Sequence, residues 1–289
     1  MTPDRSGIGA ARRKPTDAPL QDDAFAAALS ETGLRAALAG EQFEVTFQPI
    51  LSLYDGAVVG AETLLRWSHP EHGTVVPDRF IPFAERNQAI VDIGSWTIAT
   101  ACRASAAWHA AGLGGFPVSV NVSPAQFEGE AFVDSVIAIL AAAELPPTAL
   151  ELEITENMFM PDLERTGEML SRLSAIGVGI AVDDFGTGFT SLDWLHRLPV
   201  GKLKIDKSFV DGIDTDPHDA AVAGAIIRIG QSFSLRVVAE GVETAAQAQR
   251  LRELGCDDIQ GYHIAPPMPA DMFVAWLRDH PDTAGAGTG

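Results

Sequence analysis

Two carboxylates, Asp183 and Asp184, stand side by side at the end of the apolar run in VGIAVDDFGTGFTSL, residues 178–192. Neighbouring like charges repel, so the pair asks for compensation. One reading is a turn: aspartate caps helices and tolerates tight bends, and Thr190 or Ser191 then opens the next helix. The other is a cation, because hard divalent ions are held by carboxylate oxygens. The rest of the chain weighs on this choice. Late in each apolar, β-branched segment stands a polar residue: Gln48, Glu62, Asn121, Glu153, Asp183 with Asp184, Lys204, Glu240 and Gln260. Alternation puts Glu151 and Glu153 on one face of LELEIT, opposite Leu150, Leu152 and Ile154; Lys202, Lys204 and Asp206 share a face of KLKID. Brought to one rim, the carboxylates of Glu62, Glu153, Asp183, Asp184 and Glu240 would surround Asn121, Lys204 and Gln260. Such a gathering is costly without neutralising ions. All-oxygen donors suit Mg²⁺ or Mn²⁺, and the absence of histidine argues against zinc. Singly, each residue has a plainer reading: Glu62 paired with Arg66, Asn121 in a turn, Lys204 in a solvated charge stripe. Jointly those readings need a coincidence at every segment end, and the metal site is favoured.

The elements that must position these residues alternate along the chain. Strand-like runs cover 43–50, 57–67, 117–123, 150–155, 178–184, 202–206, 235–241 and 257–262. Helix-like stretches with apolar residues at helical spacing lie between most of them, and several stop at glycine. Only the first two strands lack an intervening helix; LYDGA between them reads as a hairpin turn, which makes the first strand antiparallel to the second. Eight strands alternating with helices predict an α/β fold, a TIM-like (β/α)8 barrel with an antiparallel first strand, whose strand ends share one mouth.

Composition narrows the partners. The chain has 20 Lys plus Arg against 39 Asp plus Glu, a net charge of −19, which excludes broad binding to nucleic-acid polymers but admits a small phosphate ligand where cations reverse the potential. Cys102 and Cys256 lie in no ligand spacing and read as ordinary apolar residues of a cytoplasmic protein. No apolar run spans a bilayer, and the basic N-terminus lacks the apolar core of a signal peptide. Residues 1–24 are expected as a disordered leader, 25–281 as one barrel domain and 282–289 as a disordered tail. His69, His72 and His196 are expected as loop or surface residues. The DFG of the Asp pair has no Gly-rich nucleotide loop or HRD-like loop before it, so a kinase is excluded.

FQPILSL, GAETLLRW, VNVSPAQF, LELEITE, VDDFGTGFTSL, LKIDKSFV, VVAEGVET and DDIQGYHIAPPMP, in this order over residues 31–278, resemble the EAL-domain family of cyclic di-GMP phosphodiesterases. The resemblance implies hydrolysis of cyclic di-GMP to linear pGpG with two divalent cations, Mg²⁺ or Mn²⁺, in a chain that forms a homodimer. It implies that Glu62, Asn121, Glu153 and Asp183 hold one cation, and that Asp183 and Asp184 hold or bridge the second with Glu240 near it. Lys204 then lies beside the attacking water. Gln260 falls at a position tied to the second cation's water shell and to substrate, and Glu243 at one tied to active-site order. Gln48, Arg66 and Asp206 match substrate positions, and Glu156 matches the glutamate that steadies the loop after the fifth strand, DFGTGFTSL. Three positions depart from the family pattern: Thr63 for an alanine in the signature, Gly201 for an aspartate and Pro266 for an arginine. Alternation turns Thr63 away from the face of Glu62. A catalytically inactive cyclic di-GMP receptor or partner-binding module is the alternative, distinguished by binding without pGpG formation.

Overall fold

The computed structural model describes residues 23–127, 129, 131–158, 162–187 and 192–280. Most of the expected leader and all of the expected tail lie outside these residues, as do Thr190 and Ser191; Asp23 and Ala24 open the first helix, Asp23–Ala28.

Nine strands form one sheet: β1 (Phe43–Ser52), β2 (Val58–His69), β3 (Gly73–Val75), β4 (Val118–Asn121), β5 (Leu150–Thr155), β6 (Gly179–Phe185), β7 (Lys202–Ile205), β8 (Arg236–Ala239) and β9 (Asp258–Gln260). The order β1-β9-β8-β7-β6-β5-β4-β2 closes through β1–β2, and β3 hangs from the outer end of β2. The antiparallel first strand is as expected: β1 runs against both β2 and β9, whereas β2 and β4 to β9 pair in parallel. The hairpin at LYDGA turns on Gly56 at φ +74°, with Asp55 Oδ1 accepting the Ala57 amide at 3.1 Å.

Helices cross between the parallel strands and lie against their outward faces, where Val118, Leu150, Leu152, Ile180, Val182, Leu203 and Val237 form the main core. The helices Leu163–Ile176 and Ala245–Leu254 end at Gly177 and Gly255 in the left-handed conformation, as the glycine stops predict. One expectation is corrected: β1–β2 is not the only pair without a crossover α-helix. Among the described residues the β6–β7 connection carries a 3-10 segment, Leu192–His196, and β2–β3 is a further hairpin. Glycines at 186, 188 and 201 and weak helical periodicity in the run 186–201 fit a connection whose described residues hold no α-helix. A second core under the first two helices gathers Phe25, Leu34, Phe43, Trp67 and Phe80, and the rings of His69 and His72 edge onto Phe25. His196 packs on Phe233. Both cysteines are buried and free, and burial pushes their thiols up to about 12.

The inside of the barrel is polar for a reason visible in the register. Glu151 lies level with Gly179, and Glu153 with Ala181 and then Lys202. The two small residues keep the inner face of β6 low, so the lysines of β7 reach over it to the glutamates of β5. Lys202 Nζ meets Glu151 Oε1 at 2.6 Å and Lys204 Nζ meets Glu153 Oε2 at 2.7 Å. All four side chains are buried. A charge removed from water in this way needs its partner. Lys202→Met therefore strands the Glu151 carboxylate, with an expected loss of ~3 kcal/mol, read from the urea unfolding midpoint; adding Glu151→Leu should return most of it.

Candidate active site

Lys204 is fully buried, and carboxylates from four strands surround its ammonium. Its Nζ lies 2.7 Å from Glu153 Oε2 on β5, 2.5 Å from Glu240 Oε1 just after β8, 3.2 Å from Asp183 Oδ1 on β6 and 3.7 Å from Glu62 Oε1 on β2. The Glu240 contact is one of charge, since that oxygen lies outside hydrogen-bonding geometry. Lys204 thus stands in the cluster, and the solvated-stripe reading fails. Glu62 has no need of Arg66: its Oε1 accepts from Asn121 Nδ2 at 2.9 Å and its Oε2 from Gln260 Nε2 at 2.6 Å. Gln260 Nε2 also donates to Gln48 Oε1 at 3.0 Å, and Gln48 Nε2 donates to the Ala265 carbonyl at 3.0 Å. A run of amides from β1 through β9 therefore aims Glu62 into the mouth.

Asp184 reaches the same site by a device that simple alternation does not predict. Successive strand residues point to opposite faces, so an unbroken β6 would send Asp184 away from Asp183. The β6–β7 register instead shifts between Val182 and Phe185, and Asp184 takes φ +52°. Such a bulge bends the strand and re-aims a side chain, and aspartate is among the few residues that enter this region readily. Asp183 Oδ1 accepts the Asp184 amide at 3.0 Å, which holds the bend. Oxygens of Asp183, Asp184 and Glu240 then lie within 4.8 Å of one another. Both readings of the pair meet here: it makes a turn, and the turn makes a cluster.

The electrostatics follow from five carboxylates around one ammonium. Burial raises Glu153 to about 8, with Lys204 opposing and Glu62 and Asp183 adding to the rise. Burial, then Asp183 and Asp206, lift Asp184 to about 6, and a hydrogen bond to Asp206 favours its acid form. Glu240 is also raised by burial, although 20% of its side chain stays open to solvent and weakens that cause. Burial alone would lower Lys204; Asp183, Glu153, Glu240 and Glu62 more than reverse it, so the ammonium keeps its proton. Glu153 Oε1 is buried with no hydrogen-bond donor. An orphaned buried oxygen beside an acid-only triad fits a hard divalent cation.

The remaining predicted residues lie around this centre. Asp206 Oδ1 accepts the Ser208 amide at 3.0 Å as the cap of a short helix, Lys207–Val210, and touches Asp184. Glu156 Oε1 accepts the Gly186 amide at 2.8 Å and so anchors the start of the loop after β6, whose residues 188–191 lie outside those described. Arg66 stands further out on β2, its Nη1 on the Leu65 carbonyl at 2.8 Å. Glu243 is at the rim, half-exposed and paired with Lys207. Lys207 was not singled out from the sequence; one clue was its place directly after the strand-end acid Asp206.

The family model of the EAL domain matches residues 31–267. The chain belongs to the EAL domain family. It is 43% identical over 242 residues to MucR of Pseudomonas aeruginosa, a bifunctional diguanylate cyclase/cyclic di-GMP phosphodiesterase, covering 84% of this chain and 35% of MucR. It is 42% identical over 248 residues to NbdA of the same organism, a cyclic di-GMP phosphodiesterase, covering 86% of this chain and 32% of NbdA. The chain thus spans about a third of the length of these curated relatives. Among solved structures, the PaMucR phosphodiesterase in its c-di-GMP complex aligns with a TM-score of 0.81 at 43% identity, over 84% of this chain and 98% of that one. The EAL enzyme Bd1971, with cAMP and cyclic di-GMP bound, aligns with a TM-score of 0.82 at 31% identity, over 89% of this chain and 70% of that one. EAL phosphodiesterases depend on metal, and the acidic cluster of this EAL domain fits that requirement.

A cation entering this mouth must displace protons from raised carboxyls. Below about 6 both Asp184 and Glu153 hold theirs; Asp184 gives its proton up as pH passes about 6 and Glu153 as it passes about 8. Mn²⁺ affinity should therefore climb across that window with net proton release, seen calorimetrically as heats that vary with the buffer's ionisation enthalpy. With no cation, the sign for stability is the opposite. The unfolded Glu153 ionises near its ordinary 4.5 while the folded one resists to about 8, so stability falls as pH rises through that range.

Proposed function

We propose that this chain hydrolyses one phosphodiester bond of cyclic di-GMP to give linear pGpG, with two divalent cations, Mg²⁺ or Mn²⁺. The observation that carries this reading is the Lys204 ammonium set among Glu62, Glu153, Asp183 and Glu240, a polar centre held on separate strands. The substrate is supported by family membership, by the activity named for NbdA and by the ligand in the PaMucR complex. A homodimer belongs to the same proposal. Among the described residues no helix is long and apolar enough to cross a membrane.

Glu62, Asn121, Glu153 and Asp183 would hold one cation, and Asp183, Asp184 and Glu240 the other. Bound there, the cations supply charge opposite the phosphate and make a coordinated water more acidic. Overall, a water oxygen bonds to phosphorus, the P–O3′ bond breaks, and a proton ends on the freed 3′ hydroxyl. Lys204, buried among the same carboxylates, would donate hydrogen bonds to the water and orient it. The Gln48–Gln260–Glu62 run keeps one carboxylate from swinging out of the mouth. Gln48 makes one hydrogen bond at each end of its amide, to Ala265 and Gln260, and each end keeps a second hydrogen-bonding position for the substrate.

Product analysis tests the whole reading. Purified protein with cyclic di-GMP should yield pGpG only when Mg²⁺ or Mn²⁺ is present, and Glu62→Ala should abolish it. Lys204→Ala should lower turnover by about 10²–10³-fold, as losing a preorganised donor does, while cyclic di-GMP binding persists. Tight binding by the wild type with no pGpG under any metal would replace the enzyme by the receptor reading.

A further inference from the structure

Lys207 follows the strand-end acid Asp206, opens the short helix Lys207–Val210 and packs in space on the turn after β8 that carries Glu240 and Glu243. Its stem lies flat across Gly241: a Cβ added at Gly241 would come within 2.4 Å of Lys207 Cγ and 2.6 Å of its Cδ. Gly241 sits at φ +66°, so two independent constraints, backbone conformation and the overlying stem, demand glycine there. Beyond the glycine the Lys207 ammonium pairs with Glu243 and, at 3.7 Å, with Asp211. The Glu243 amide is in turn fixed to Gln247 Oε1 at 2.8 Å, inside a capping box that starts the helix Ala245–Leu254. The 240–243 turn is thereby gripped from above by Lys207 and from behind by Gln247.

We propose that Lys207 is a positioning residue that clasps the 240–243 turn and so directs Glu240 into the acid cluster. This rests on the phosphodiesterase reading of the mouth but does not need the substrate to be tested. The pair is half-exposed on both sides, with 48% and 49% of the side chains open. A pair so exposed adds little to stability. What it supplies is direction: it ties the end of β7, bearing Lys204 and Asp206, to the end of β8, bearing Glu240. Across a cluster whose oxygens lie within 4.8 Å, a small swing of the turn takes one ligand out of reach.

Lys207→Met keeps the stem over Gly241 and removes the charge; Lys207→Arg restores a charge at similar reach. Mn²⁺ binding is read directly, from the electron paramagnetic resonance of the free ion, without substrate. The methionine variant is expected to bind Mn²⁺ about tenfold more weakly, the lower end for outer-shell partners, and the arginine variant to recover most of that. Thermal midpoints in EDTA should stay together, and with saturating Mn²⁺ the KM for cyclic di-GMP should be unchanged. Wild-type Mn²⁺ affinity in Lys207→Met overturns the proposal, as does a weakening matched by a fall in the EDTA midpoint. Absence of pGpG from the wild type would defeat the functional reading while leaving the Mn²⁺ result to stand or fall alone.

Discussion

A single lysine with no access to water governs how this barrel can be built. Taking an ammonium out of water costs several kcal/mol even after relaxation, and Lys204 is offset only because glutamates and an aspartate from β2, β5, β6 and the end of β8 turn toward it. Those carboxylates in turn exceed the one positive charge they share, and their raised proton affinities register the excess. The mouth is thus a balance with one side overfilled, and a doubly charged ion is the natural counterweight.

Much of this could be read from residue order alone. The strand ends bearing Glu62, Asn121, Glu153, Asp183, Lys204, Glu240 and Gln260 follow from apolar runs closed by a polar residue, and a parallel barrel leaves such ends nowhere to go but one rim. The facing pairs Glu151–Lys202 and Glu153–Lys204 were implicit in two alternating stretches of opposite charge. Their distance was not, because it depends on Gly179 and Ala181 lying level with them across β6.

Asp184 is expected at the rim; what escaped the sequence is the break in period that takes it there. Alternation assigns Asp184 to the wrong face, and only the bulge with its left-handed residue returns it. Gln48, matched to substrate by resemblance, is engaged end to end with Ala265 and Gln260, a fact that depends on where two distant loops close. Of the three departures, Thr63 is buried with its hydroxyl unpartnered, a cost of roughly 1–3 kcal/mol that an alanine would not carry. Gly201 leaves open space, its added Cβ meeting only the Ile180 carbonyl at 3.9 Å. Nothing in the structure explains Pro266.

The two lysines that vault over the low inner face of β6 have a mechanical consequence. They lash β5 to β7 like tie bars, so the staves on either side of β6 hold their spacing without its help. A strand framed in this way is free to buckle at its tip without loosening the cylinder. The irregular backbone at Asp184 is therefore carried by the frame around it, and the fold can keep a bent stave at the one place where straightness would be useless.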